Sequence, residues 1–227
     1  MSKGRASNIA VDFQAPPSGS PLHLQDMGRR QRRGAETRVR LFRSALQLFA
    51  ERGYSNVTVE DITEAADVGK GTFFNYFESK DQLLSVMAEM QLSKVREALS
   101  LAQAGGQTIY SVLHHLFLRS TEEPGRSPDL ARALLSSFLA GEGVRVMAYN
   151  LASEGRKMLA QIVAEGQKRR EIDCRLKEEK VALQIQQAFM GTLLLWSLEG
   201  RPPLKAWAEE SFQHFWRAVA AAGREQK

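Results

Sequence analysis

The chain has 227 residues, 43% of them hydrophobic, which suffices for one or two domains with a sizeable core. Its 31 Lys and Arg against 26 Asp and Glu give a net charge of +5 and a pI near 9.5, a balance that permits nucleic-acid binding without demonstrating it. A single cysteine, Cys174, excludes an internal disulfide; no run reaches the roughly 18 apolar residues of a membrane span, and the N-terminus lacks the apolar core of a signal peptide, so a cytoplasmic location is expected.

Residues 1–33 read as a disordered basic tail. Up to residue 28 the segment is rich in Ser, Pro, Gly and Gln, and Pro16-Pro17-Ser18-Gly19-Ser20-Pro21 precludes a helix there. Arg29, Arg30, Arg32 and Arg33 follow. With Arg38, Arg40 and Arg43 they cluster against one acid, Glu36. Such a segment can track a DNA backbone or enter a minor groove, and a solvated charge run is an equal alternative. A first helix is predicted over 35–52. Val39, Phe42, Leu46 and Phe49 form its buried stripe, Gly53 ends it, and Tyr54 packs between helices.

The most informative stretch spans 58–80, TVEDITEAADVGKGTFFNYFESK. Thr58 and Asp61 are spaced as a capping box, and Val59, Ile62 and Ala66 give one apolar stripe. Asp67-Val68-Gly69 is the turn, with Gly69 as the next cap and Val68 plugging the angle. A short helix is predicted over 70–76, mixing one cation with small and aromatic residues, as entry into a major groove requires. Phe73 and Phe77 are expected to face the core. Ser79 and Gln82 form another capping pair, opening a long helix from residue 80.

These residues resemble the DNA-binding domain of the TetR family, the tetracycline-repressor-like regulators of bacteria. Thr58, Ile62, Ala66, Val68, Gly71, Thr72, Tyr76, Phe77, Lys80 and Leu83 match the family pattern. Gly69 stands where Ser is usual, and Phe74 where Tyr is usual. A phenyl ring cannot hydrogen-bond a phosphate, although it can pack on a sugar or a thymine methyl. The resemblance implies an all-α protein: a three-helix helix-turn-helix domain over 34–80 and a helical effector-binding and dimerisation domain over 81–227. It implies DNA contacts from Thr58, Lys70, Gly71, Thr72, Phe74, Asn75, Tyr76 and Lys80. Thr58, Thr72, Tyr76, Lys80 and the Arg-rich segment would hold phosphates, while Lys70, Gly71 and Asn75 would meet base edges.

Beyond residue 80 every long segment reads as helix. The segment 80–104 carries Leu83, Leu84, Met87, Met90, Val95 and Leu99, and links the two domains. Helices follow over 109–117, 130–139 and 144–168. Two last helices are predicted over 176–198 and 204–222. The first is apolar on two sides, with Val181, Ile185, Ala188, Phe189, Thr192 and Trp196 on one stripe and Leu183, Met190, Leu193 and Leu194 on the other. A helix apolar on two sides needs two partners. Pairing of these two helices with those of a second copy is expected, burial within one subunit being the alternative.

No Gly-rich phosphate loop, HExxH or cysteine-pair zinc spacing is present, and no nucleophile, base and orienter fall at a recognisable spacing. Neither a metal nor a cofactor is expected, and the chain does not read as an enzyme. His114 and His115 are adjacent and point about 100° apart on a helix, so they cannot chelate one ion together. Cys174, in a polar turn beside Arg175, reads as a spectator, a thiol sensor being the alternative. The resemblance further implies a small, often apolar effector in the C-terminal domain, with Met90, His114, Phe117, Phe138, Met147, Phe189 and Trp196 as candidate lining. Each of these also serves as plain core. The expected function is a homodimeric, ligand-released repressor that binds an operator in double-stranded DNA. The alternatives are a helix-turn-helix regulator with no small-molecule ligand and a helical protein-interaction module.

Overall fold

The computed structural model describes residues 29–138 and 142–221. Residues 1–28, where the disordered tail was expected, lie outside the described residues, as do 139–141 and 222–227. Among the described residues the architecture is all-α. The helices are α1 (Arg29–Arg52), α2 (Val59–Ala65), α3 (Lys70–Phe74), α4 (Lys80–Ala104), α5 (Ile109–Arg119), α6 (Pro128–Ser137), α7 (Glu142–Lys168), α8 (Glu178–Glu199) and α9 (Leu204–Val219). α1 begins at Arg29, so the Arg-rich segment continues a helix, and the expected boundary at residue 33 is corrected. α3 ends at Phe74, shorter than the predicted 70–76.

Caps set these bounds. Thr58 and Asp61 form the capping box, Thr58 Oγ1 accepting from Asp61 N at 3.1 Å and Asp61 Oδ2 accepting from Thr58 N at 2.7 Å. Gly69 precedes α3, and Ser79 caps α4 by accepting from Gln82 N. Gly105 and Gly200 close α4 and α8 with φ of 82° and 76°.

Leu41, Ala45, Leu48 and Phe49 of α1 are buried with Ile62, Ala66, Phe73 and Phe77, and this core continues into Leu83, Leu84, Val86 and Met87 of α4. It also takes in Leu130, Ala133 and Leu134 of α6 and Val144 of α7. The helix-turn-helix unit and the C-terminal helices therefore share one apolar core. α1 meets α6 as well as α2, which corrects its predicted stripe: Val39 is 37% exposed, and Leu41, Ala45 and Leu48 turn inward with Leu46 and Phe49. A second cluster joins the end of α4 to α5, α7, α8 and α9, and a third joins Ala131, Leu193, Trp196 and Leu204.

α8 is long and apolar enough to cross a membrane by length and composition alone, although it holds no uninterrupted apolar run; in the fold it packs on α6, α7 and α9. The polar break after α7 acts as a clamp. Buried Glu171 accepts from Ile109 N at 2.8 Å at the start of α5, and Arg169 Nη1 donates to Gln107 O at 3.1 Å.

Two glycines of α7 separate close packing from mere tolerance. A Cβ on Gly166 would lie 2.8 Å from Ile172 Cδ1 and 3.2 Å from Ile109 Cγ2, whereas one on Gly143 would meet nothing within 4 Å. Gly166→Ala is expected to destabilise the protein by about 1–3 kcal/mol through overpacking. Gly143→Ala should stabilise it by about 0.5–1 kcal/mol. Denaturant unfolding of the two variants checks both signs.

Candidate nucleic-acid interface

The elbow between α2 and α3 places Lys70, Gly71, Phe74 and Asn75 on one exposed face. Its back is fastened by Phe73 and Phe77, buried to 0% and 1% exposure with ring centroids 5.5 Å apart, as the periodicity predicted. Phe74 is 49% exposed and packs edge-on against Phe73, leaving most of its ring for an outside partner. Asn75 caps the C-terminus of α3, its backbone N–H donating to Gly71 O at 3.2 Å, and its side chain is exposed.

Gly71 needs no special backbone geometry, and a Cβ there would meet nothing within 4 Å. The fold does not require glycine at this helix position, where it costs stability relative to Ala. A surface that must admit another molecule's backbone does require it.

Lys70 is held by the chain itself. Its ammonium pairs with the Glu60 carboxylate in the first turn of α2, both side chains being more than half exposed. The Lys70 hydrogen bond is the largest cause holding the Glu60 carboxyl below the usual carboxylate range. Glu60 was not among the predicted site residues, because in sequence it reads as an ordinary acid at a helix start.

Two of the side chains expected at phosphates make internal hydrogen bonds. Thr58 Oγ1 donates to Asp61 Oδ2 at 2.5 Å, leaving no hydroxyl proton for a phosphate oxygen, which is an acceptor. Lys80 Nζ donates to Tyr54 O at 2.9 Å and Val57 O at 2.8 Å, and lies 4.3 Å from the Tyr54 ring centroid. Burial pushes the Lys80 ammonium below its usual range, with Asp81 opposing. The Tyr54 hydroxyl donates to Asp81, so Tyr54 is a packing residue with a polar end.

Thr72 and Tyr76 are half-buried beside the exposed face. Tyr76 stands against α1, its hydroxyl 3.3 Å from where a Gly34 Cβ would be. Arg33, Arg40 and Arg43 are exposed on α1, and Arg38 lies over the Phe77 ring at 5.7 Å. The side chains of Arg29, Arg30 and Arg32 lie outside the described residues.

The candidate effector residues do not gather into one pocket. Met90 and Met147 pack on the core shared with the helix-turn-helix unit. Phe117, Phe189 and His114 meet in the aromatic cluster around Phe212, with His114 Nε2 within 2.9 Å of both Glu209 carboxylate oxygens. Trp196 belongs to the third cluster, its Nε1 donating to Pro202 O at 2.8 Å. Phe138 is half-buried at the end of α6. These side chains recur at helical spacing because they are packing residues. Away from them, a crevice of about 10 Å³ lies between α4 and α5, lined by Lys94, Val112 and His115, and an open groove of about 290 Å³ lies between α8 and α9.

A three-helix unit that presents a cation, a bare glycine and an asparagine on one elbow has the form of a helix-turn-helix unit. Residues 41–87 match the family of bacterial regulatory proteins known as the tetR family. The chain is 48% identical over 56 residues to the HTH-type transcriptional regulator TcmR of Streptomyces glaucescens, a match covering 25% of each chain. It is 27% identical over 182 residues to the transcriptional regulator AcuR of Cereibacter sphaeroides, covering 77% of this chain and 83% of AcuR. Among solved structures, Thermus thermophilus FadR, a TetR-family transcriptional repressor in complex with lauroyl-CoA, is 26% identical with a TM-score of 0.57, covering 84% of this chain and all of that one. Residues 41–87 are therefore those of a tetR-family DNA-binding domain, and the relatives matched beyond them are transcriptional regulators. The relatives are regulators, which supports a regulatory rather than an enzymatic role.

Lys80→Met should lower stability by about 1.5–3 kcal/mol, as expected for hydrogen bonds made by a charged group. It should weaken DNA binding without changing the salt dependence, whereas loss of a phosphate contact would flatten the slope by about one. Gly71→Ala should have opposite effects on two readouts, stabilising the fold by about 0.5–1 kcal/mol and weakening DNA affinity. Thermal melts paired with salt-titrated gel shifts separate these outcomes.

Proposed function

We propose that the protein is a homodimeric, cytoplasmic transcriptional repressor that sets α3 of each copy into the major groove of one operator and is released by a small apolar effector. The observation that carries the DNA-binding part is the exposed elbow of Lys70, Gly71, Phe74 and Asn75 on a buried aromatic base. Lys70 addresses guanine acceptors, Asn75 pairs with adenine, and Gly71 admits the DNA backbone. Thr72, Tyr76 and the exposed arginines of α1 supply phosphate contacts. The domain limits proposed are 34–80 for DNA binding and 81–227 for dimerisation and regulation, with α1 extending back to Arg29.

Dimerisation through α8 and α9 is supported by what α8 leaves uncovered. Met190, Leu194, Leu195 and Leu198 are 40%, 49%, 53% and 67% exposed, and the buried Trp207 Nε1 beside them lacks an acceptor among the described residues. An apolar face of this kind favours association. Phe212, Phe215, Trp216 and Val219 of α9 pack within the subunit, so the groove-lining Trp207, Ser211 and His214 form the α9 share of the interface.

The effector part draws on likeness to FadR of Thermus thermophilus in complex with lauroyl-CoA. Phe117, His114 and Phe189 are the candidate lining that the fold brings together. A second reading, a regulator with no small-molecule ligand, is favoured by the dispersal of the candidate lining into three packed clusters.

A gel shift on duplexes selected from a randomised pool tests DNA binding. Lys70→Ala should cost about 1–3 kcal/mol and relax sequence preference; unchanged affinity and preference reject the assignment. The double variant Leu194→Asp/Leu198→Asp should sediment as a monomer and bind operator at least tenfold more weakly, and a persistent dimer removes α8 from the interface. Lauroyl-CoA should lower operator affinity by about 5–150-fold. If neither it nor other acyl-CoA chain lengths alter affinity or melting temperature, the ligand-free reading stands.

A further inference from the structure

The pair between Lys70 and Glu60 joins the first residue of α3 to the first turn of α2, ten positions earlier. Lys70 is the single charged side chain of α3, and its partner is an acid on the face that the DNA reading turns toward a polyanion. A carboxylate there repels phosphates and cancels the charge that would release counterions, so the pair adds little to non-specific affinity. As a helix-start acid Glu60 is redundant, because Asp61 already completes the capping box with Thr58. Neither role explains why the carboxylate reaches across the elbow to the one cation of the recognition helix.

We propose that Glu60 is a specificity-determining residue: its carboxylate steers Lys70 along the base edges and itself accepts the exocyclic amine of a cytosine, so that the elbow reads a guanine and a nearby cytosine as one unit. The chemistry matches the groove. Guanine offers two acceptors to an ammonium, and among base edges the cytosine N4 amine suits a carboxylate. Both side chains are more than half exposed, so the two can part onto separate bases without unfolding either helix. The pair also penalises wrong sites, since a carboxylate facing an acceptor base leaves both groups without a proton. The inference rests on the DNA-binding reading and adds to it a reading residue outside α3.

The test is parallel selection from one randomised duplex pool with the full chain, Glu60→Gln, Glu60→Ala and Lys70→Ala. The wild type should converge on half-sites with a fixed guanine and a fixed cytosine. Glu60→Gln should lose the cytosine preference by about tenfold and shift that position toward adenine, which a carboxamide reads in two bonds. Glu60→Ala should leave the position without preference and bind unselected duplex more tightly, with a salt slope steeper by about one. Lys70→Ala should relax the guanine position and weaken the cytosine one. The proposal is overturned if Glu60→Gln selects the wild-type sequence, or if it strengthens binding to every duplex by the same factor. A wild-type pool that never converges removes the DNA-binding reading and this inference together, whereas convergence with an indifferent Glu60 removes the inference alone.

Discussion

Lys80 donates to Tyr54 O and Val57 O and rests over the Tyr54 ring, whose hydroxyl reaches Asp81 on the next residue. An ammonium drawn partly out of water is costly unless carbonyls and a ring face replace its hydration, and here both do. The joint fixes the first turn of α4 against the segment that enters α2. α3 follows from it: α2 is held to α1 by Arg52 and Asp61 at 3.1 Å, and Phe73 and Phe77 seat the elbow in the same core. The placement of α3 thus depends in part on a cation that makes its bonds within the protein.

With the polar ends of Lys80 and Thr58 taken up by hydrogen bonds within the chain, the outward charge of the elbow is small. Lys70 is balanced by Glu60, and Asn75 and Gly71 are neutral. In the proposed reading, bulk attraction to a duplex falls to α1, where Arg33, Arg40 and Arg43 are exposed, and attraction and discrimination reside on different helices. That separation suits a regulator, because contacts that neutralise phosphates act on all sequences alike while base contacts set the ratio between sites.

The parts of this arrangement that depend on neighbours in the chain were legible in the sequence. The capping box at Thr58, the Ser79 cap, the Gly69 turn and the inward Phe73 and Phe77 follow from spacing within one or two turns. What was not legible depends on partners far away. Tyr54 and Val57 lie more than twenty residues before Lys80, and nothing local signals that their carbonyls accept its hydrogen bonds. Val39 was misplaced because α1 packs on α6, about ninety residues later, which rotates its apolar face. Glu60 was missed because charge spacing on one helix says nothing about a partner across a turn. The candidate pocket dispersed into three clusters because Met and aromatic residues at helical spacing fill any interior.

α4 was expected to be the link between the two halves, and the fold adds α6. Leu130, Ala133 and Leu134 of α6 lie in the core of the DNA-binding unit, while Ala131 on its other side packs with Leu193 and Trp196 of α8. Arg132 donates to Ser197 O, tying α6 to the helix proposed to dimerise. The segment before α6 is fastened to the middle of α4 by the buried Lys94, which donates to Glu123 at 2.6 Å and Arg119 O at 2.8 Å. α4, α6 and α8 are thus joined by packing and hydrogen bonds. The rings around Phe212 already pack on one another, so the proposed effector, if seated there, would have to part helices as it entered. The opening cost would lower its apparent affinity, and the same free energy would be available to bias α3.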